Sequence, residues 1–397
     1  MMKKLLCLLL AMALTLSLFA CSRGGDTTPT TEPAGDNWKI GVVTGTFSGG
    51  EEEYSAGEKV LEKYGADHVV HVTYPDNFMT ETETTISNIS SLAADPDMKA
   101  IVITQAIPGT AAAIDKVKET RPDILFVCSV PGEDPNVIAG KADIVMGEAV
   151  LEMGTAMVQQ AYDLGAKTFI FYSFPRHMGY ATIVARRDVM KAKAEELGMA
   201  FVELTAPDPT GDAGSAGAQQ YITDDVPKQI EKYGVDTALY STNCGHQEPL
   251  IREVAKGGAI LPQQCCPSPY HAYPAALGID VAGHEGDVAY MLQAITSKLE
   301  EMGNPGRMST WPVPVNMLTM QAGGDYAYEW IMGNTDGNND TATLSRLIKA
   351  QVNEFMPGAE IDVTTYTEAQ ADGTSVTYDN FYMLLCDYYV FGEKAGA

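Results

Sequence analysis

The residues best suited to chemistry in this 397-residue chain sit in short polar stretches, each following an apolar run. One set comprises Thr44, Thr46, Phe47, Ser48, Asp76, Asn77, Phe78, Gln105 and Ser129. A second comprises Ser173, Phe174, Arg176, His177, Asp208, Thr210, Asn243, Ser268 and Tyr270. Hydroxyls, amides and carboxylates interleaved with aromatics suit a small polar ligand with hydroxyl groups and one flat face, such as a sugar or nucleoside. The amides and carboxylates fix hydroxyls while the aromatic faces cover apolar ring surface. Arg176 is suited to clamp a carboxylate or phosphate through two hydrogen bonds, or to pair with an acid such as Asp208. Asp76, Asn77, Asp208 and Thr210 also lie beside prolines, where turn and helix-cap roles explain the same residue types. Both readings stay open.

Three other chemistries are less well supported. The stretch Gly45-Thr46-Phe47-Ser48-Gly49-Gly50 has neither the Walker lysine nor the Rossmann spacing. Glu51, Glu52 and Glu53 would repel a phosphate there and instead favour a helix N-terminus through its dipole, which argues against nucleotide hydrolysis. Cys244, His246, Cys265, Cys266 and His271 are soft metal-ligand types, but they show no CxxC or HxxxH core. Adjacent cysteines are awkward ligands for one ion, so buried structural thiols, no metal and no cofactor are expected. A catalytic cysteine with His177 as base would need an activated thiol, and nothing local activates one. Binding rather than catalysis is the expectation.

The elements that must position these residues alternate in type. Strands are expected at 38–43, 69–74, 100–104, 124–130 and 143–146, with helices at 51–64, 81–94 and 110–119 between them. A second series follows a helix at 150–164. Strands at 167–173, 200–205 and 237–242 alternate with helices at 180–197, 215–233 and 247–256. Weaker strand signals lie at 259–264 and 278–281. This alternation predicts βαβ crossovers and parallel sheets, and it places the polar sets beyond the carboxyl ends of strands, where open sheets bind ligands. Ser48-Gly49-Gly50-Glu51 and Thr80-Glu81-Thr82-Glu83 fit the capping-box pattern. Later come an amphipathic helix at 287–302, an extended segment at 309–319, helices near 325–332 and 342–355, a polar loop near 371–375 and a strand-like aromatic run at 380–391.

The first residues address location. Lys3 and Lys4 precede an apolar run from Leu5 to Leu18, and Leu18-Phe19-Ala20-Cys21 reads as a lipoprotein cleavage box. The run is too short to span a bilayer, so residues 1–20 are expected to be a signal peptide with Cys21 the lipidated first residue. Residues 21–37, rich in Thr, Gly and Pro, would be a flexible tether. The formal charge is −26, and −28 once Lys3 and Lys4 leave. Such a body should repel nucleic acid and anionic lipid. Five cysteines remain beyond the leader and anchor, an odd number without a regular framework.

Several strand ends carry distinctive text: Tyr74-Pro75-Asp76-Asn77-Phe78-Met79-Thr80, Tyr172-Ser173-Phe174-Pro175-Arg176-His177-Met178, Ala206-Pro207-Asp208-Pro209-Thr210-Gly211-Asp212 and Cys265-Cys266-Pro267-Ser268-Pro269-Tyr270. With Ile40 to Gly45 and Ser241 to Cys244, they resemble a domain-of-unknown-function family of bacterial lipoproteins, itself similar to type I periplasmic binding proteins. The resemblance implies two Rossmann-like α/β lobes with parallel sheets, joined by three hinge strands and closing on a ligand for an ABC-transporter permease. A surface-tethered sensor for a membrane receptor is the alternative, and an enzyme of the same fold a third class. The expected organisation is lobe 1 at 38–147 with 284–318 returning to it, lobe 2 at 148–283, and a C-terminal extension at 319–397 completing the lobes.

Overall fold

A computed structural model describes residues 37–47, 51–284, 286–369 and 374–392. The leader, Cys21, the tether up to residue 36, Ser48 with its capping box, and most of the polar loop near 371–375 lie outside the described residues.

The first lobe runs β1 (Lys39–Thr44), α1 (Glu51–Tyr64), β2 (Val69–Thr73), α2 (Thr82–Leu92), β3 (Met98–Thr104), α3 (Thr110–Lys118), β4 (Leu125–Ser129), α4 (Pro135–Ala139) and β5 (Ile144–Glu148). The second runs α5 (Val150–Asp163), β6 (Thr168–Ser173), α6 (Ala181–Glu196), β7 (Ala200–Thr205), α7 (Gly214–Tyr233), β8 (Thr237–Ser241), α8 (Gln247–Gly257), α9 (Tyr273–Leu277) and α10 (Val288–Glu301). The chain continues through β9 (Ser309–Thr310), α11 (Val315–Ile331), α12 (Thr341–Phe355), β10 (Ile361–Ala369), β11 (Ser375–Cys386) and β12 (Tyr389–Val390).

The first sheet has the order β10-β11-β5-β4-β3-β1-β2, and the second β7-β6-β8. Every pairing in them is parallel except β10 with β11. Central strands such as β4, buried at all five residues and apolar from Leu125 to Cys128, do not alternate because helices cover both faces. One face of the first sheet packs on α1, α11 and α12 through Val60, Leu318 and Ile348. The other packs on α2, α3 and α4 through Ile89, Ile114 and Ile138. Helix α11 approaches closely enough that a Cβ on Gly323 would lie 3.0 Å from Val102, and one on Gly324 3.0 Å from Val60.

The second sheet is sandwiched likewise, with Ile222, Leu250 and Met291 on one side and Met157, Met190 and Ala194 on the other. Ile260 and Leu261 extend it through isolated bridges to Ala238 and Met308, the trace of the weak strand expected at 259–264. Residues 278–281 form no strand.

Three connections join the lobes: Glu148 to Val150, Met308 to Val315, and Cys386 to Phe391. The last two meet as the antiparallel pair β9–β12, with Thr310 opposite Tyr389. The boundaries differ from expectation in one respect. Helix α10 buries Met291, Leu292, Ile295 and Leu299 in the second lobe's core, so the return to the first lobe begins only near residue 309, not 284. Beyond it, α11, α12, β10 and β11 build the first lobe, and Phe391 goes back to the second. The capping box at Thr80 also fails. Glu81 occupies the N-cap of α2 without a side-chain bond, while the Thr80 hydroxyl donates to the Asn77 carbonyl at 3.1 Å.

Candidate functional site

A cleft of about 570 Å³ opens where strand ends of both lobes face each other. The first lobe contributes Glu52 and Glu53 from the start of α1 and Gln105 after β3. The second contributes Cys244 after β8 and the loop from Cys266 to His271, and the crossing segment contributes Val315, Asn316 and Met317. Ser268 Oγ donates to Glu52 Oε2 at 2.8 Å, a hydrogen bond that spans the cleft from one lobe to the other.

The floor on the first-lobe side is acidic. Glu53, 2% exposed, accepts from the Gly45 amide at 3.2 Å and the Tyr74 hydroxyl at 2.8 Å, and also from Gln105 Nε2. Burial raises its carboxyl above the usual range despite these donors. Burial likewise pushes Glu52 up to about 7 and Glu148, at the end of β5, up to about 8. Glu148 Oε1 has no hydrogen-bond partner among the described residues, and neither does Asn316 Oδ1 on the cleft wall. Non-glycine residues with left-handed backbone gather at the same strand ends: Gln105 (φ 62°), Ala106 (φ 29°) and Val130 (φ 44°), with Ala272 (φ 65°) in the opposing loop. Such strain persists only where surroundings enforce it. Here the Gly132 and Glu133 amides donate to the Gln105 and Ala106 carbonyls at 2.6 and 3.2 Å.

Of the two polar sets, Gln105, Ser268 and Tyr270 line this cleft, as do Cys244, Cys266 and His271 of the possible metal ligands. The others of the second set form a network at the carboxyl end of the second sheet. Arg176 holds Asp208 through Nε at 2.7 Å and Nη2 at 2.9 Å, and its guanidinium lies 5.3 Å from the Phe174 ring. The bidentate partner lowers the Asp208 carboxyl well below its usual range. Arg176 therefore realises the acid-pairing alternative. His177 Nδ1 lies 2.9 Å from Thr242 Oγ1, which also bonds Ser173, and burial pushes this imidazole down to about 4. Asp208 further accepts from the Thr210 amide and hydroxyl, and Asn243 caps the turn Cys244–His246 by accepting from Gly245 N.

In the first lobe, Thr44 is buried and bonds the Gly45 carbonyl and His71, and Thr46 bonds Asp76. Phe78 packs edge-on to Tyr74, Ser129 is buried, and Phe47 is 55% exposed beside Tyr54. The Asn77 carbonyl caps the turn into α2.

Sequence reasoning missed Glu52, Glu53, Glu148 and Asn316, and it named His271 only among possible metal ligands. Three consecutive glutamates read as a helix start, and no local signal marks Glu52 and Glu53 as cleft residues. The thiols also divide differently from expectation. Cys128, Cys265 and Cys386 are buried, but Cys244 is exposed, and Cys244, Cys265 and Cys266 meet with His271. Among the described residues no helix is long and apolar enough to cross a membrane.

Two uncharacterized proteins of Treponema pallidum (strain Nichols) resemble the chain. One is 38% identical over 171 residues, 43% of this chain and 79% of the relative. The other is 37% identical over 182 residues, 44% and 82%. Among solved structures, one from Clostridium difficile 630, described as a candidate transcriptional regulator, superposes with a TM-score of 0.76 at 23% identity. The match covers 90% of this chain and all of that one. A sugar ABC transporter structure from Actinomyces odontolyticus ATCC 17982 gives 0.50 at 10% identity, covering 75% and 84%. The fold is that of the type I periplasmic binding proteins. Residues 38–309 match the family described as "Protein of unknown function (DUF3798)", and the chain belongs to that family.

Proposed function

We propose that the chain is an extracytoplasmic solute-binding protein, held to the cell membrane by a lipid on Cys21, which closes its lobes on a small polar molecule and hands it to an ABC-transporter permease. The observation that carries this reading is the cleft between opposed strand ends, bridged by the Ser268 to Glu52 hydrogen bond. Its lining supports a ligand with several hydroxyl or amine groups, such as a sugar or nucleoside. Glu52, Glu53, Gln105 and Asn316 offer acceptors and amide donors, while Tyr270 and Met317 offer apolar surface. The lobes and their three connections suit hinge closure around such a ligand. Catalysis is not part of the reading.

Native mass spectrometry of protein purified without refolding tests the proposal. A retained organic molecule released on unfolding is expected, and thermal stabilisation by that molecule should follow. No retained mass, together with no thermal shift across a panel of sugars and nucleosides, would overturn it.

A further inference from the structure

One ligand atom from each of Cys244, Cys265, Cys266 and His271 falls within 4.8 Å of all the others. Cys244 Sγ lies 3.3 Å from Cys265 Sγ and 3.8 Å from Cys266 Sγ. The thiols come from two neighbouring strand ends of the second sheet. Cys244 opens the short turn that Asn243 caps after β8, and Cys265 and Cys266 begin the loop that follows the Ile260–Leu261 bridges.

That loop is fixed from several sides. The buried Gln264 donates through Nε2 to the carbonyls of Ser268 at 2.7 Å and His271 at 2.9 Å, and its Oε1 accepts from Thr310 Oγ1 at 2.8 Å. His271 Nδ1 lies 2.7 Å from the Cys266 carbonyl. A carbonyl only accepts, so Nδ1 carries the proton and Nε2 keeps its lone pair. This is the tautomer and orientation that metal-binding histidines receive from a carbonyl behind them.

The donor set then specifies the ion. Three sulfurs and one imidazole are soft ligands that suit a d¹⁰ cation, and Cys3His is one of the tetrahedral sets used by zinc. Zinc–sulfur bonds of about 2.3 Å place tetrahedral sulfurs about 3.8 Å apart. The Cys244–Cys266 separation already has this value, and the Cys244–Cys265 pair needs to open by roughly half an ångström. Access is also provided. Cys244, Cys266 and His271 face the cleft, while Cys265 is buried behind them.

We propose that Cys244, Cys265, Cys266 and His271 form a zinc site in the second-lobe wall of the cleft, holding one Zn²⁺ through three thiolates and His271 Nε2. Binding is ligand exchange without redox. Each thiol proton passes to solvent, and zinc–sulfur and zinc–nitrogen bonds replace zinc–water bonds. The site does not depend on solute delivery and would stand if that reading failed.

The test uses the full mature chain, purified under reductant, stripped with a chelator and dialysed against zinc sulfate. Elemental analysis should find about one zinc per chain. Cobalt in place of zinc should give a thiolate-to-metal charge-transfer band and tetrahedral visible absorption. Cys244→Ser, Cys266→Ser and His271→Gln should each weaken zinc at least about tenfold in competition with a chromophoric chelator. Their circular dichroism and chelator-treated unfolding midpoints should match those of the unsubstituted protein, which separates lost ligation from lost folding. Absence of stoichiometric zinc, full retention by the Cys244→Ser/Cys266→Ser double variant, or a thiol count showing two of the three cysteines joined as a disulfide in protein isolated from the cell envelope would each overturn the proposal.

Discussion

Glu52→Gln should stabilise the empty protein at high pH and leave it nearly unchanged at low pH. The carboxyl is buried in the cleft, and its pKa rises from 4.5 to about 7, chiefly through desolvation and against the lowering effect of the Ser268 hydroxyl. A group whose folded-state pKa lies above its unfolded value binds its proton more tightly when folded. Its contribution is therefore full below about pH 4.5, declines as the pH rises, and is lost above about pH 7. At about 1.4 kcal/mol per pH unit, that gap corresponds to a penalty of about 3 kcal/mol at pH 8. This is an upper figure, because opening of the lobes admits water. Glutamine keeps the shape and can still accept from Ser268, but it has no charge to desolvate. Urea denaturation of both proteins, freed of ligand and metal, at pH 4.5 and pH 8 gives the comparison. An equal difference at the two pH values, or a variant less stable than the parent at pH 8, would refute the reasoning.

Arg176→Ala should leave affinity for the retained ligand unchanged in calorimetric titration, because the guanidinium is engaged by Asp208 outside the cleft. The ion pair is largely solvated, with 41% of the Arg176 side chain exposed, so chemical denaturation should show a loss of only about 0.2–1 kcal/mol. Phe391→Ala should cost about 3–5 kcal/mol by the same measurement. That ring is fully buried, 5.0 Å from the Tyr273 ring, where truncation leaves a cavity.

Much of the architecture was legible because its signals are local. The run Phe169 to Tyr172 is apolar and aromatic and the stretch Ala181 to Glu196 is helical in pattern, and both elements form within a residue or two of expectation. Placement of α10 was not legible. Its amphipathic face specifies that it packs, but not against which of two similar apolar sheets, and that choice follows from Leu261 pairing with Met308 just beyond the helix. The site divides in the same way. Gln105 and Ser268 line the cleft because it opens beyond strand ends, whereas Arg176 and Asp208 share that location and satisfy each other. The thiols were named as possible metal ligands but read as structural, because Cys244 and Cys265 lie 21 positions apart and parallel neighbouring strands close that distance without any fixed spacing in the chain.

The order of strands in the first sheet dictates an order of assembly. Synthesis runs from the N-terminus, and the second lobe's core is contributed almost entirely by one continuous stretch, from α5 to Met308. The first lobe has its five early strands much sooner, yet β11 must dock beside β5, and Phe381 to Leu384 pair there only when nearly the whole chain exists. Until then the Ile144–Glu148 strand is a bare, apolar edge of the kind that captures other strands. The lobe that begins first is thus the one finished last, and a chain interrupted before residue 375 would hold a second lobe lacking the Tyr389–Phe391 segment beside a first lobe prone to aggregate.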